Sequence, residues 1–216
     1  MKKVVIIVAA GKGTRMNSEI PKQFLLLKDK PILIHTIENF AHFDERILVL
    51  PQSQIRYWNN LYLEYNCKIS HKIVEGGNTR FQSVKNGLEK VDNNSVLAIH
   101  DGVRPLISTN LINSLVKKVE KGIGVIPVVP LTDSIRKIEG NYSKHMERKN
   151  LFKVQTPQCF LSSDIKKAYS QEYSNTFTDD ASVFENNKGE IKTIFGEEKN
   201  LKITTEEDLK ISSFLL

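Results

Sequence analysis

The stretch Val4-Val5-Ile6-Ile7-Val8-Ala9-Ala10-Gly11-Lys12-Gly13-Thr14-Arg15 decides the fold. Seven apolar residues in a row, Val4 to Ala10, read as a strand buried on both faces rather than on one. Glycines directly after such a strand permit a sharp turn and a close backbone approach to a bound group. With Lys12, Arg15 and, a little later, Lys22 nearby, that group is expected to be anionic, because backbone N–H groups entering a helix form a phosphate cradle. Two familiar loops do not fit. A Walker A loop needs four residues between its glycines followed by Lys-Ser/Thr, and a dinucleotide fingerprint needs a third Gly or Ala where Met16 stands. Taken alone, the glycines also suit an ordinary strand-to-helix turn with solvated cations, so the rest of the chain has to settle the question.

Moving outward, apolar runs alternate with helical patterns. VVIIVAA precedes PILIHTIENF, RILVLP precedes IRYWNNLYLEY, KIVEGG precedes TRFQSVKNGLEKV, SVLAIHDGVRP precedes TNLINSLVKKVEKG, and GVIPVVP follows. This alternation predicts an α/β fold, a mostly parallel sheet flanked by helices. Thr79 is placed to start a helix whose apolar positions Phe81, Val84 and Leu88 face the sheet. The alternation lapses between about residues 134 and 154, where Gly140-Asn141 separates two short alternating segments. That pattern predicts a polar β-hairpin protruding from the sheet and packing on something else, such as a second subunit. Near the end, Thr204 or Thr205 is expected to cap a terminal helix with the glutamates that follow.

Composition narrows the function. At 216 residues the chain reads as one domain, residues 1–216, with 40% hydrophobic and 26% charged residues. It has neither an apolar run long enough to span a membrane nor a cleavable leader before the first strand, which predicts a cytoplasmic protein. Cys67 and Cys159 lack metal-ligand spacing and are expected to be buried free thiols. The net charge of +6 comes from 31 basic and 25 acidic residues intermixed along the chain. It describes a Lys-rich solvated surface better than a nucleic-acid interface, and part of the excess suits a polyanionic small substrate.

In open parallel sheets ligands sit beyond the carboxyl ends of the strands. The residues there are polar: Gly11 to Arg15, then Gly76, Gly77, Asn78, Thr79 and Arg80 with Ser83, then His100, Asp101 and Arg104. Asp101 has two readings, a cap or ion pair with Arg104, and a carboxylate supporting Mg²⁺ against substrate phosphates; its position favours the second. His100 reads as a packed or hydrogen-bonded histidine, since a substrate oxygen attacking phosphorus needs no nucleophile from the protein. Asp179 and Asp180 read as helix caps, with hydroxyl binding by one of them as the alternative.

Together, VAAGKGTRM, PKQF, GGNTRFQSV, HDGVRP, QTPQ, TDDASVFE and NLKITTEEDL resemble, in order and approximate spacing, the 2-C-methyl-D-erythritol 4-phosphate cytidylyltransferases. The resemblance runs from Val4 to the terminal helix. The ribitol-5-phosphate cytidylyltransferases share the glycine loop, PKQF, HDxVRP and TPQ; the hairpin sequence and the compact Gly76-Gly77 pair tilt the reading away from them.

The resemblance implies a Rossmann-like nucleotidyltransferase joining CTP to a sugar phosphate with Mg²⁺, and a homodimer with an exchanged β-arm at about 134–154. Carried over by motif, Arg15 and Lys22 would stabilise charge on the α-phosphate. Ala9, Ala10, Gly11 and Gly13 would hold the nucleotide, and Gly77, Asn78 and Ser83 would recognise cytosine and ribose. Asp101 and Lys202 would flank the metal and the α-phosphate, while Ser134, Arg148 and Thr156 would bind the sugar phosphate. A catalytically silent nucleotide-binding protein is the reading from another class, disfavoured because Arg15, Lys22, Asp101 and Lys202 are all retained.

Overall fold

Val4, Val5, Ile6 and Ile7 are almost wholly removed from water, and their side chains divide between two cores. Successive side chains in a strand point to opposite faces, so a strand with helices on both sides must be apolar throughout. The computed structural model describes residues 1–11 and 20–216. Its elements begin with β1 (Lys2–Val8), a short 3₁₀ turn at Lys22–Phe24, β2 (Leu26–Leu27), β3 (Lys30–Pro31) and α1 (Ile32–Glu38). Then come β4 (Glu45–Leu50), α2 (Gln52–Glu64), β5 (Lys72–Glu75), α3 (Arg80–Leu88), β6 (Ser95–Asp101), α4 (Thr109–Lys117) and β7 (Ile123–Pro130). The chain continues through β8 (Ile135–Glu139), β9 (Tyr142–Met146), β10 (Phe152–Val154), β11 (Gln158–Leu161), α5 (Ser162–Ala168), α6 (Asp180–Asn186), β12 (Glu190–Phe195) and α7 (Glu206–Leu215).

The large sheet runs β10-β7-β11-β6-β1-β4-β5, with β12 also paired to β7. The pairs β1/β4, β1/β6, β4/β5 and β7/β12 are parallel, whereas β11 lies antiparallel between β6 and β7, and β10 is antiparallel to β7. The expected mostly parallel sheet is therefore present, with an antiparallel insertion that the strand-helix alternation did not announce. One face packs Val5, Ile7 and Leu48 against Leu33, Trp58 and Ile112 from α1, α2 and α4. The other packs Val4, Ile6 and Val49 against Val84, Ile165 and Phe184 from α3, α5 and α6.

Strand β1 sits between β4 and β6, so the chain leaves its carboxyl end at a topological switch point, where open α/β sheets carry their crevice. Register puts Val8 beside Asp101 on one side and Val49 on the other. The expected caps form at Thr79, which accepts from the Gln82 N–H at the start of α3, and at Thr205, whose capping box at the start of α7 closes with Asp208 and not with the glutamates before it, because Asp208 stands at the third helical position.

Strands β8 and β9 make the expected hairpin as a separate two-stranded sheet, from Ile135 opposite Met146 to Glu139 opposite Tyr142, with Gly140 at φ +60° in the turn. Ile138 and Tyr142 on it are 66% and 83% exposed. Cys67 and Cys159 are buried free thiols, and burial pushes both up from the ordinary thiol range. No helix among the described residues is long and apolar enough to cross a membrane.

Candidate active site

A cleft of about 650 Å³ opens at the carboxyl ends of β1, β5 and β6. It is lined by Ala9, Ala10 and Gly11 after β1, by Gly76 to Arg80 with Ser83 after β5, and by Asp101, Lys22 and Lys202. Nine of the residues expected from the sequence thus meet in one place: Ala9, Ala10, Gly11, Lys22, Gly77, Asn78, Ser83, Asp101 and Lys202. Gly13 and Arg15 lie outside the described residues.

Local chemistry shapes each wall. A Cβ on Gly76 would stand 2.5 Å from the Ala10 Cβ, so only glycine lets the loop after β5 close against the end of β1. The Gly77 N–H donates to Ser83 Oγ (3.1 Å), whose hydroxyl donates to the Thr79 carbonyl (2.9 Å), so Ser83 holds the loop's shape from within α3. In the PKQF turn, the buried Gln23 amide donates to the Ala9 carbonyl (2.9 Å) and to Gln54 Oε1 (2.6 Å). Phe24 packs on Tyr57 and Trp58, and Lys22 is thereby carried to the cleft edge.

Asp101 is the electrostatic centre. Its Oδ2 lies 3.0 Å from Lys202 Nζ and 3.2 Å from Arg104 Nε, and its Oδ1 lies 3.7 Å from Arg80 Nε. Burial alone would raise its carboxyl, but Lys202, Arg80 and Arg104 overcome that and hold it well below the usual carboxylate range. The ion pair with Arg104 expected from the sequence is present, and Asp101 also lines the cleft.

Arg80 forks onto Asp180, Nη1 to Oδ1 at 2.8 Å and Nη2 to Oδ2 at 2.7 Å, and Tyr169 Oη donates to the same Oδ1 at 2.6 Å. Burial would lower the Arg80 guanidinium, but Asp180 and Asp101 outweigh it and hold the charge firmly in place. Burial, then Asp180, pushes the Tyr169 phenol well above its ordinary value. Asp179 caps α6 as expected, its side chain accepting from the Ser182 N–H at 2.9 Å. Asp180, fully buried, is the ion-pair partner of Arg80 and accepts the Tyr169 hydroxyl rather than capping the helix.

His100 is packed, as expected, against Phe40. Its Nε2 donates to the Arg104 carbonyl (3.1 Å), leaving Nδ1 to accept from the Thr156 hydroxyl (3.0 Å). Burial pushes its imidazole down to about 4. Thr156 Oγ1 in turn accepts the Asp101 N–H at 3.1 Å. Thr156 is therefore buried behind the end of β6 and is not among the cleft-lining residues. Ser134 and Arg148 line a different cavity, of about 370 Å³, at the base of the hairpin, where Arg148 donates to the Thr132 carbonyl. Of the three expected sugar-phosphate contacts, none lies on the cleft wall of its own chain.

Sequence reasoning missed Gln23 and Tyr169, and named Asp180 without its Arg80 partner. The adjacent Asp179-Asp180 pair carried a usable signal, since one helix start needs one capping carboxylate and the other must find a different partner. Asp101 is the one carboxylate among the described cleft-lining residues, facing Lys22, Arg80 and Lys202. Among the described residues, no three His, Cys, Asp or Glu side chains gather into a metal cage. That donor set suits Mg²⁺, which commonly takes one or two carboxylates and fills its shell with substrate phosphate oxygens and water.

A family model described as 2-C-methyl-D-erythritol 4-phosphate cytidylyltransferase (IspD) matches residues 3–216. A protein of that name from Azobacteroides pseudotrichonymphae is 49% identical over 219 residues, covering 100% of this chain and 99% of the relative. Another of that name, from Porphyromonas gingivalis W83, is 44% identical over 219 residues, covering 100% of this chain and 98% of the relative. The crystal structure of Francisella tularensis 2-C-methyl-D-erythritol 4-phosphate cytidylyltransferase superposes with a TM-score of 0.83 at 32% identity, covering 100% of both chains. Sequence, architecture and cleft agree over the whole length, and the chain belongs to the 2-C-methyl-D-erythritol 4-phosphate cytidylyltransferase family.

Proposed function

We propose that this enzyme transfers CMP from CTP to 2-C-methyl-D-erythritol 4-phosphate, forming CDP-methylerythritol and pyrophosphate. The observation that carries the reading is the cleft at the carboxyl ends of β1, β5 and β6, walled by backbone and cations around, among the described residues, a single carboxylate. A phosphate oxygen of the sugar phosphate attacks the α-phosphorus; the new P–O bond forms as the bond to the β-phosphate bridging oxygen breaks, and pyrophosphate leaves. No nucleophile from the protein is required, so the work falls to positioning and charge stabilisation.

In this reading Ala9, Ala10, Gly11 and Gly13 border the triphosphate, and Gly77, Asn78 and Ser83 hold cytosine and ribose. Lys22 and Lys202, joined by Arg15, meet the charge that develops on the α-phosphate. Asp101 would hold Mg²⁺ together with phosphate oxygens. When bound, that ion would supply further neutralisation of phosphate charge.

The sugar phosphate is assigned to Ser134 and Arg148, supplied by the arm of a second copy in a homodimer; Thr156, its hydroxyl spent on His100 and the Asp101 N–H, supports the end of β6 from behind instead of touching the substrate. The placement of Ser134 and Arg148 in a cavity other than their own chain's cleft, and the exposed Ile138 and Tyr142 on the arm, support that exchange. The deciding assay follows pyrophosphate release with CTP, Mg²⁺ and each sugar phosphate in turn. Turnover with methylerythritol phosphate and not with ribitol 5-phosphate is expected. The reverse preference would reassign the substrate, and CTP binding without any turnover would leave a silent nucleotide-binding protein.

A further inference from the structure

Lys202 has no regular element of its own. It lies in the irregular stretch between β12 and α7, and a lysine side chain there has many ways to miss its target. On its carboxyl side, the Ile203 N–H donates to the Val103 carbonyl at 2.9 Å. On its amino side stands Asn200, which is completely buried. Asn200 Nδ2 donates to the Thr156 carbonyl (2.9 Å), and the Asn200 carbonyl accepts from Arg104 Nη1 (2.9 Å) and from Gln155 Nε2 (3.3 Å). The Gln155 amide also donates to the Glu197 carbonyl at 2.8 Å, at the other end of the same loop.

These bonds converge on Asp101. Arg104, which holds the Asn200 carbonyl, places its Nε 3.2 Å from Asp101 Oδ2. Thr156, whose carbonyl receives Asn200 Nδ2, accepts the Asp101 N–H through its own hydroxyl. The loop bearing Lys202 and the strand end bearing Asp101 are thus referenced to the same two residues. Asn200 Oδ1, meanwhile, is buried without a partner among the described residues. An unmet buried acceptor is destabilising, a poor choice for a residue that only fills space.

We propose that Asn200, braced by Gln155, is a positioning residue that sets the register of the 196–202 loop so that the Lys202 ammonium stands at Asp101 and the cleft. Gly196 belongs to the same device. A Cβ there would lie 2.4 Å from Gln155 Oε1, so glycine at that point lets the Gln155 amide reach into the loop.

A double-mutant cycle tests this. Asn200→Ala is expected to lower kcat/KM by about 10- to 100-fold, as small displacements of a catalytic group do. In a Lys202→Ala background the same change should cost about 2-fold or less, because there is no ammonium left to misplace. An equal loss in both backgrounds would show that Asn200 acts on the fold at large and overturn the proposal. Gly196→Ala, which displaces the Gln155 amide without touching Asn200, is run through the same cycle and decides the matter if Asn200→Ala folds poorly.

The kinetic arm rests on the proposed reaction, so a second arm stands apart from it. Lysines are dimethylated with isotope-labelled carbon, and the Lys202 resonance is assigned by its loss in Lys202→Arg. In the ligand-free protein this resonance should move in Asn200→Ala and in Gly196→Ala; an unmoved resonance in both overturns the positioning role. A parent protein without turnover would defeat the functional reading while leaving this measurement to decide the role of Asn200.

Discussion

At the carboxyl ends of β1 and β6, side chains from five separate stretches of the chain are tied to one another. Arg80 joins Asp180 and Asp101, Arg104 joins Asp101 and the Asn200 carbonyl, and Thr156 joins His100 and the Asp101 N–H. On the β8–β9 arm the polar contacts run within the arm itself: Arg136 to Ser143, and Lys137 and Lys144 to Glu139. The first region is buried and finished within one chain. The second presents Ile138 and Tyr142 to water and gains nothing from the core. The difference teaches that the cleft is a property of the fold, whereas the arm's contribution, on the proposed exchange, depends on a second copy.

The sharpest way to break the comparison is at Asp180. Its carboxylate is completely buried, and removing one partner of a buried ion pair leaves the other charge uncompensated. Asp180→Ala is expected to destabilise the protein by about 3–5 kcal/mol, read by urea denaturation. Asp180→Asn, which keeps the shape and loses the charge, should recover only part of that. A loss below about 1 kcal/mol for Asp180→Ala would mean that the network is decorative and the cleft no better anchored than the arm.

The next effect is a pH dependence. His100 sits at about 4 when folded against an ordinary 6.5, so the unfolded chain binds more protons between those values. Stability is therefore full above about pH 6.5 and falls as pH drops toward 4, by on the order of 3 kcal/mol in all. Burial also lowers His71 and His42, so the parent is compared with His100→Gln, which does not titrate. Denaturation midpoints between pH 7.5 and 4.5 should fall more steeply in the parent. Parallel curves would remove His100 from the linkage.

Legibility in the sequence followed the same division. The apolar run of β1, the Thr79 and Thr205 caps, the Asp179 cap and the Gly140 turn were readable because each is settled by residues within a few positions of one another. The Arg80–Asp180 pair joins residues a hundred positions apart, and nothing local at either end names the other. Strand β11 was also missed, since its antiparallel place between β6 and β7 is fixed by partners distant in the chain. Gln23 was quoted within a motif, but its bond to the Ala9 carbonyl became visible only when the two loops met. The cleft's polar rim could be located by rule, at the strand ends; its internal wiring could not.

Smaller in effect is the loss of Arg148, which tests whether the arm serves its own chain. On the exchange reading, Arg148→Ala should raise the KM for the sugar phosphate by about 10- to 100-fold and leave that for CTP nearly unchanged, since a guanidinium fork clasps phosphate oxygens directly. Mixing Arg148→Ala with Lys22→Ala under conditions of subunit exchange gives heterodimers with one doubly damaged site and one intact site. Activity should return to about half the parent's per heterodimer by symmetry. If verified exchange restores nothing, Arg148 acts within its own subunit and the arm is an ordinary hairpin.

The smallest expected effect draws the line between the two regions most finely. Ile99, on β6, and Ile138, on β8, are the same side chain in opposite surroundings, one fully buried and the other 66% exposed. Ile99→Ala deletes core contacts and should cost about 2–5 kcal/mol at any protein concentration. Ile138→Ala removes little that the single chain buries, so in dilute protein its cost should stay within about 0.5 kcal/mol. Anything that binds the folded arm stabilises it by mass action, so if a second copy covers Ile138, the cost must grow as the protein is concentrated. Thermal denaturation of both variants over a wide concentration range separates the cases. A cost for Ile138→Ala that stays near zero at every concentration would mean that no second copy seats on this side chain. A cost that is large even at high dilution would mean that the arm is held by its own chain after all, and the contrast between the two regions would fail.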